Sequence, residues 1–313
     1  FNSRSDSGRF GMGLTNSSIS QTRRVEVITW QNPKRVCRSY LDVDEIASGS
    51  LKSIPTPQPV RPFRPASHSG TIVVWTKCDR IEFRNEKAFL ARIRKTLGRL
   101  FRKSIWEGRN IVVSGEKLES VDPTFVRSTE EDKAVPYGSE LEYIITVPSG
   151  DGETSVVKIQ FVELPILKWH SLTTEQKKLR GITKGAGVSV LRAGREIDYG
   201  WFFMGSKRKE NYDDWWRCEV CFEPQLDELF GVANTKQGIR PNETLNRILC
   251  PDLTAIAHTL NRRVRASFAS VRTKLSRTAG EITAARRDHL LEPPKREFQV
   301  NKNRSRYGLN SEH

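Results

Sequence analysis

Two segments in the amino-terminal part of the chain have the hydrophobic pattern of β-strands: the first alternates apolar and polar residues like a half-buried strand, and the second is an apolar run opened by a Gly-Thr step. They are Arg24-Val-Glu-Val-Ile-Thr-Trp30 and Ser69-Gly-Thr-Ile-Val-Val-Trp75. The stretch 54–62 between them is rich in proline. Because proline cannot donate to a strand ladder, this stretch predicts an extended connection between the two strands.

Two other segments place an apolar residue every three or four positions, which is the spacing of an amphipathic helix. In residues 86–105, arginines and lysines interleave with a stripe formed by Leu90, Ile93, Leu97, Leu100 and Phe101. The second stripe starts at Leu253 and predicts a long basic helix over 251–292, which the following Pro-Pro step ends. The basic tail over 293–313 is expected to be disordered.

Residues 123–140 follow neither pattern, so the sequence predicts a linker there, over 123–138. A chain of 313 residues is long enough for about two domains of roughly 150 residues each. Its hydrophobic fraction of 36% can support two cores. We therefore expect one domain on each side of the linker.

The composition excludes several classes of protein. No segment approaches the ~18 consecutive apolar residues that span a bilayer, and no signal peptide is visible. The five cysteines are odd in number and irregularly spaced, which argues against a disulfide framework. We expect an intracellular, cytoplasmic protein with no membrane partner.

The sequence predicts no metal site. Cys218 and Cys221 form the only CxxC pair, but they lie in a predicted strand, where residues three apart point to opposite faces. The five histidines are scattered, without metal-binding or catalytic spacing. The aromatic clusters at 201–203 and 215–216 are interpreted as sheet core, in preference to surfaces that stack on bases.

The net charge of +15 is concentrated towards the carboxyl end. Residues 261–313 hold 13 Lys or Arg against 5 Asp or Glu. Two interpretations are open for this basic helix: a solvated outer face, or a surface that contacts the phosphate backbone of DNA or RNA. The candidate nucleic-acid contacts are Arg262, Arg263, Arg265, Arg272 and Lys274.

A glycine run near the start, Gly8-Arg-Phe-Gly11-Met-Gly13-Leu14, is the candidate phosphate-binding segment. Glycines allow successive backbone N–H groups to point into one concavity, ahead of a helix amino terminus. No strand precedes the run in this sequence, which excludes the dinucleotide-binding and kinase types of glycine loop. By itself, the run is only a weak indication of phosphate binding.

Taken together, these segments resemble the ATPase module shared by DNA gyrase B, heat-shock chaperones, histidine kinases and MutL, called the GHKL superfamily, and within it the MORC type. The resemblance covers most of residues 8–250. It rests on the glycine run, the strand that ends in Trp30, the Gly70-Thr71 strand, the basic helix, the segment Arg109 to Leu118, the hairpin Val188 to Tyr199 and the loop Asn234-Thr-Lys236-Gln237-Gly238.

The resemblance implies an α+β fold. Residues 1–122 would form the C-terminal part of a Bergerat-type ATP-binding α/β sandwich. Residues 139–250 would form a transducer-like β-α domain that carries the lysine loop, followed by the long basic helix. The implied cofactors are ATP and Mg²⁺, and the implied partners are DNA and, in an ATP-dependent homodimer, a second copy of the chain.

The resemblance also implies roles for individual residues. Gly8, Gly11 and Gly13, with the amides of Met12 and Leu14, would hold the triphosphate. Thr71 would lie near the adenine end. Lys236 would reach in from the second domain to stabilise charge on the terminal phosphate, and Gln237 would position the attacking water or the same phosphate.

The chain departs from the family at two points. Thr15 stands where the MORC type commonly has a lysine. The helix with the general-base glutamate and the magnesium-binding asparagine, and the adenine-reading Asp-x-Gly-x-Gly loop, would precede Phe1. We therefore expect a fragment that does not hydrolyse ATP by itself, since water activation and Mg²⁺ supply much of the catalysis.

The leading hypothesis is an ATP-driven conformational clamp that acts on DNA, with hydrolysis belonging to the full-length parent. The alternative is a nucleic-acid-binding or scaffold module that keeps a degenerate nucleotide fold and does not hydrolyse ATP. A third hypothesis is a chaperone-like protein with an exposed apolar surface for its client.

Overall fold

The computed structural model describes residues 13–60, 65–81, 83, 85–127, 133–148, 152–232 and 238–291. It divides into two compact units, Phe1–Val264 and Arg265–His313. Within the first unit we distinguish a first region, residues 13–127, and a second region, residues 133–264. Both regions combine helices with antiparallel sheet, and the predicted α+β class is confirmed.

The first region is built on a four-stranded sheet of order β3-β2-β1-β4. The predicted strands near residues 24–30 and 69–75 are confirmed as β1 and β4, which pair antiparallel. The elements of this region are α1 (Gly13–Ile19), β1 (Arg24–Asn32), β2 (Arg35–Asp42), α2 (Val43–Ala47), β3 (Gln58–Pro59), β4 (Gly70–Thr76), α3 (Glu86–Leu100), α4 (Arg102–Trp106), β5 (Val112–Val113) and β6 (Glu116–Lys117).

A close contact between a tryptophan and a glycine holds β1 against β4. Trp30 lies directly across from Gly70 in the pairing register and is buried. A Cβ atom on Gly70 would come within 2.6 Å of the indole ring, so only glycine fits under Trp30. This contact explains the glycine that opens the Gly70-Thr71 strand.

The predicted basic helix is confirmed, with one break. Asn85 caps α3 by accepting from the backbone N–H of Ala88. At Phe101 the backbone leaves helical geometry, and α4 continues the chain from Arg102. Gly98 lets α3 approach the next segment, because a Cβ there would lie 2.5 Å from the Glu119 carbonyl oxygen.

The second region is built on a five-stranded sheet of order β10-β9-β11-β8-β7, in which only β9 and β11 pair in parallel. The predicted hairpin over 188–199 is confirmed as β9 and β10. The elements are β7 (Val135–Thr146), β8 (Thr154–Glu163), α5 (Ile166–Trp169), α6 (Thr174–Leu179), β9 (Val188–Arg192), β10 (Arg195–Gly200), β11 (Trp216–Phe222), α7 (Asp227–Phe230) and α8 (Glu243–Leu291).

One face of this sheet packs on the amino-terminal half of α8 to form the main hydrophobic core. The aromatic clusters predicted as core are confirmed, since Phe203, Trp215 and Trp216 are buried. The side chains that α8 contributes to the core follow the predicted spacing and are Leu245, Leu249, Leu253, Ala257 and Leu260.

The long helix begins earlier than the sequence predicted. Its start is Glu243, not residue 251, and Asn242 caps it by accepting from the Leu245 backbone N–H at 2.8 Å. Pro251 lies inside the helix and removes one backbone donor without ending it.

The expectation that residues 123–140 contain no element is wrong from Val135 onward, where β7 begins. Pro136 and Gly138 look like strand breakers in the sequence. They are tolerated because β7 is an edge strand and its pairing with β8 is irregular between Tyr137 and Leu141.

The second unit continues α8 from Arg265. Arg272 and Lys274 are exposed on this part of the helix. Among the described residues, no helix combines the length and the apolar character that a membrane-spanning segment requires.

Candidate functional site

The structure describes three of the residues predicted to bind ATP: Gly13, Leu14 and Thr71. The other predicted site residues lie outside the described residues. They are Gly8, Gly11, Met12, Lys236 and Gln237. The described part of the candidate site consists of the elements that carry or flank these positions.

Polar contacts attach α1 to the first sheet. The Trp75 indole on β4 donates to the hydroxyl of buried Ser18 at 3.0 Å. Thr22, just after the helix, donates to the backbone oxygen of Thr76. These contacts fix the helix that begins at Gly13 beside β4.

The start of α1 is open. Leu14 is 45% exposed, and a Cβ atom on Gly13 would have no neighbour within 4 Å. Thr71 is also exposed, and its Oγ1 lies 2.9 Å from Thr29 Oγ1 across the strand pair. Within the described residues, nothing fills the space beside Gly13.

The two sides of the predicted lysine loop are held close together. The Arg240 backbone N–H donates to the carbonyl oxygens of Phe230, at 3.0 Å, and Gly231, at 3.2 Å. Gly231 has a positive φ of 58°, and a Cβ there would collide with the Arg240 backbone. A glycine is thus required where this loop begins.

The far side of the loop is attached to β10. Gly238 donates its backbone N–H to the Ile197 carbonyl oxygen at 3.0 Å. The next residue, Ile239, donates its N–H to Asp198 Oδ2 at 2.9 Å. Strand β10 therefore anchors the residues that follow Lys236 in the sequence.

The other face of the second sheet meets α3 and α4 through buried charges. Arg102 Nη1 donates to Glu196 Oε2 at 2.7 Å. Its Nη2 donates to Glu219 Oε2 at 2.7 Å and to Ser189 Oγ at 2.8 Å. We call this group the junction cluster; its members are Arg99, Arg102, Lys103, Ser189, Glu196 and Glu219.

Two further cations complete the junction cluster. Arg99 Nε donates to Glu196 Oε1 at 2.6 Å, and Lys103 Nζ lies 2.6 Å from Glu219 Oε1. Arg102 is 0% exposed. Burial acts to lower the pKa of its guanidinium, but the two carboxylates outweigh burial and raise the pKa above its usual value. Arg102 is therefore charged, and it shares buried Glu196 with Arg99 and partly buried Glu219 with Lys103.

The junction cluster and the lysine loop share one strand. Glu196 and Asp198 both belong to β10: the first accepts from Arg99 and Arg102, and the second holds the Ile239 backbone. Strand β10 thus contacts both the helices α3 and α4 and the residues after the loop. No pattern in the sequence indicates this link, although the run from Arg99 to Lys103 is recognisable as part of the basic helix.

A cavity of about 340 Å³ opens beside the junction cluster. Lys103 and Arg127 both lie over the Trp106 ring on its wall, at 5.4 and 4.5 Å from the ring centre. Glu107, Glu140 and Glu219 also line it, so carboxylates outnumber cations. This balance does not favour a phosphate ligand in the cavity.

The predicted nucleic-acid contacts are not equivalent. Arg263 forms a two-pronged ion pair with Glu163, with N–O distances of 2.7 and 2.9 Å, and this hydrogen bonding raises its pKa. Arg262 is exposed and donates to the Thr259 hydroxyl. Arg265, Arg272 and Lys274 belong to the second unit. Arg263 is therefore already engaged by a carboxylate.

The CxxC pair lies on opposite faces of β11, as the sequence predicted. Cys218 is in the core, whereas Cys221 shares the opposite face with Glu219. Burial raises the pKa of the Cys221 thiol to about 12, so it is protonated at neutral pH. No group of three potential His, Cys, Asp or Glu ligands occurs in the described part of the chain.

No protein-family model matches the chain, and no curated protein matches it. Among solved structures, it is similar to the B-subunit of DNA gyrase from Myxococcus xanthus, with 11% identity and a TM-score of 0.39 over 77% of this chain and 68% of that one. The ATPase and transducer domains of DNA topoisomerase II from Balamuthia mandrillaris give 11% identity and a TM-score of 0.38 over 84% and 66%.

The 43K ATPase domain of Thermus thermophilus gyrase B gives 11% identity and a TM-score of 0.33, covering 88% of this chain and 75% of that chain. TM-scores below 0.5 do not establish a shared fold. The structural neighbours are thus gyrase B and topoisomerase II ATPase domains, and what those proteins do is not thereby a property of this chain.

Proposed function

We propose that the chain is an ATP-binding module of the gyrase B, heat-shock chaperone, histidine kinase and MutL type, closest to MORC. ATP binding and hydrolysis would drive a conformational clamp. Residues 1–122 would be the partial nucleotide domain and residues 139–250 the transducer-like domain. The observation that carries the proposal is the connection from α3 and α4, through the junction cluster and β10, to the flank of the lysine loop.

The roles of the site residues follow the sequence resemblance. Gly8, Gly11 and Gly13, with the Met12 and Leu14 amides, would hold the triphosphate, and Thr71 would lie near the adenine. Lys236, helped by Gln237, would contact the terminal phosphate from the second domain. Mg²⁺ would neutralise phosphate charge when bound, but we assign it no ligand among the described residues.

The client proposed for the clamp is DNA, in agreement with the excess of positive charge after residue 260. Arg262, Arg265, Arg272 and Lys274 are the proposed backbone contacts, and ATP-dependent homodimerisation would close the clamp. The alternative function is a nucleic-acid-binding or scaffold module without ATP turnover. The basic helix favours it, since the helix needs no nucleotide to bind phosphate.

The test is a titration of the chain with a fluorescent, non-hydrolysable ATP analogue in the presence of Mg²⁺. Gly11→Val should weaken binding by at least about tenfold, because a β-branched side chain would block access to the backbone amides. Lys236→Ala should leave binding nearly intact and instead abolish the effect of nucleotide on hydrogen exchange at Gly238 and Ile239. Lys34→Ala, which removes an exposed lysine from the β1–β2 turn, is the matched control.

Two results would contradict the proposal. One is equal affinity of the unmodified chain and the Gly11→Val variant for the analogue. The other is a rate of hydrogen exchange at the Ile239 amide that does not change when nucleotide is added to the unmodified chain. The alternative module would be favoured by salt-dependent DNA binding whose affinity is the same in the Gly11→Val variant and does not change when nucleotide is added.

A further inference from the structure

The cavity beside the junction cluster has the size of a small-ligand site. Its volume of about 340 Å³ lies at the small end of the range for such sites, which is roughly 300–1,000 Å³. The residues that line it lie in the described ranges, and none of them is a predicted ATP-site residue. A ligand in this cavity would therefore be distinct from the nucleotide.

Three parts of the chain form the walls of the cavity. The first is α4, which contributes the ring of Trp106, and the second is the sheet of the second region, through β7, β8 and β11. The third is the segment that ends at Arg127. The Asp122 carboxylate organises this segment, because it accepts from the backbone N–H groups of Val126, at 2.8 Å, and Arg127, at 3.1 Å. Each wall is thus held by its own hydrogen bonds.

Two opposite charges in the lining are unpaired. The Glu107 carboxylate and the Arg127 guanidinium are both exposed at the cavity. In the part of the chain that the structure describes, neither side chain forms an ion pair or a hydrogen bond, and the two do not pair with each other. Arg127 instead stacks over the Trp106 ring, 4.5 Å from its centre, which restrains the guanidinium. Both groups can therefore bind a ligand.

The other charged groups in the lining already have partners. Lys103 Nζ lies 2.6 Å from Glu219 Oε1, and Glu140 Oε1 lies 3.4 Å from Lys158 Nζ. A ligand with one charge would satisfy only one of the two unpaired groups. Phosphate, for example, has no positive group to offer to Glu107. A ligand with one positive and one negative group would satisfy both.

We propose that this cavity binds a small zwitterion with an ammonium and a carboxylate group, of the size of a free amino acid. Glu107 accepts from the ammonium, and Arg127 donates two parallel hydrogen bonds to the carboxylate. The rest of the ligand packs on the apolar part of the lining, which consists of Trp106, Val126 and Val162. The inference goes beyond the proposed function, because the site uses none of the proposed ATP contacts.

The position of the cavity gives such a ligand an effect on the junction cluster. Lys103 and Glu219 belong to both the lining and the cluster. A ligand that binds only when α4 and the second sheet are in place stabilises the contact between them. The site therefore couples the concentration of a free amino acid to the attachment of the first region.

The test is isothermal titration calorimetry of the full chain, without nucleotide, against each of the common L-amino acids. We expect at least one to bind with a dissociation constant below about 1 mM. For that amino acid, Glu107→Gln and Arg127→Gln should each weaken binding by at least about tenfold. The matched controls, Glu142→Gln and Arg109→Gln, remove the same charges at exposed positions outside the lining and should leave the affinity unchanged.

Two analogues of the bound amino acid separate the two contacts. The amine that lacks its carboxylate and the acid that lacks its ammonium should each bind the unmodified chain at least about tenfold more weakly. The loss of the Glu107 charge and the loss of the ligand's ammonium should not be additive, because both remove the same contact. The same is expected for Arg127 and the ligand's carboxylate.

Three results would overturn the proposal. The first is no binding of any amino acid at concentrations up to on the order of 10 mM. The second is unchanged affinity in both Glu107→Gln and Arg127→Gln, with circular dichroism spectra that match the unmodified chain. The third is an acid or amine analogue that binds the unmodified chain as tightly as the amino acid does. This last measurement needs no variant, so it decides the matter even where a variant does not fold.

Discussion

The first and second regions use similar elements but bury very different amounts of apolar surface. The buried apolar side chains of the first region are Val25, Trp30, Val36 and Leu118, whereas the second region supplies nearly all the rest. Its sheet is covered by α8 on one face and by α3 and α4 on the other. Because burial of apolar area is the main source of stability, the second region is the folding core of the unit.

This difference indicates that the stability of the first region depends on its contacts with the rest of the molecule. Its helix α3 and its β4 strand keep much of their apolar surface accessible. The junction cluster attaches it to the stable region. A region of this kind is suited to respond to binding, since low local stability permits local rearrangement.

The largest expected effect comes from breaking the attachment between the regions. Arg102→Met should lower the free energy of unfolding by about 3–5 kcal/mol, because Glu196 and Glu219 would be left buried with less compensation. We further expect the first region to unfold before the second. The measurement is urea unfolding followed by circular dichroism, with hydrogen exchange to locate the order of unfolding.

The control for that change is Lys95→Ala, on an exposed position of the preceding helix α3. It should alter stability by less than about 0.5 kcal/mol. Simultaneous unfolding of both regions in Arg102→Met, with unchanged stability, would show that the junction cluster does not hold the regions together.

A smaller effect is expected from a cavity in the second region. Leu249 of α8 is fully buried in the core, and Leu249→Ala should cost about 2–5 kcal/mol of unfolding free energy. Its neighbour Ile248 is 38% exposed, so Ile248→Ala should cost much less. Equal losses from the two variants in thermal or urea unfolding would contradict the assignment of α8 to the core.

The smallest effect concerns acid sensitivity of the first region. A hydrogen bond from Arg24, helped by Lys77 and the backbone of α2, lowers the pKa of Asp42 from 3.8 to about 2. A carboxyl group whose pKa is lowered in the folded state stabilises that state above pH 3.8, and this contribution is lost as the pH falls towards 2.

Asp42→Asn should therefore weaken the dependence of unfolding on pH between about 4 and 2, and it should destabilise the protein mainly above that window. The measurement is a series of urea unfolding curves across this pH range. An unchanged slope of stability against pH in the variant would refute the assigned role of Asp42.

Much of the fold was predictable because the local patterns are strong. Alternation identified β1, an apolar run after a Gly-Thr step identified β4, and helical spacing identified α3 and most of α8. Two boundaries failed for physical reasons. Pro136 and Gly138 conceal β7, which tolerates them as an edge strand, and the cap of α8 at Asn242 precedes the stretch where its apolar stripe was recognised.

The candidate site was less predictable, since its described connections are long-range. Arg102 meets Glu196 and Glu219, which are 94 and 117 residues further along the chain. No local periodicity pairs such positions. The role of Asp198 was equally hidden, because its contact is with the backbone of Ile239 and not with a side chain that could be recognised in the sequence. The roles of Lys236 and Gln237 stay predictions.

The strand order of the second sheet sets a condition on how the chain is synthesised. β11 is the last of the five strands to leave the ribosome, but it occupies the middle of the sheet, between β9 and β8. Until residue 222 has emerged from the ribosome, no strand joins the β7–β8 hairpin to the β9–β10 hairpin, and each hairpin keeps an unpaired edge. The nascent chain therefore completes its core in a single late step, when β11 inserts and α8 follows, and premature termination before β11 would release a product prone to aggregation.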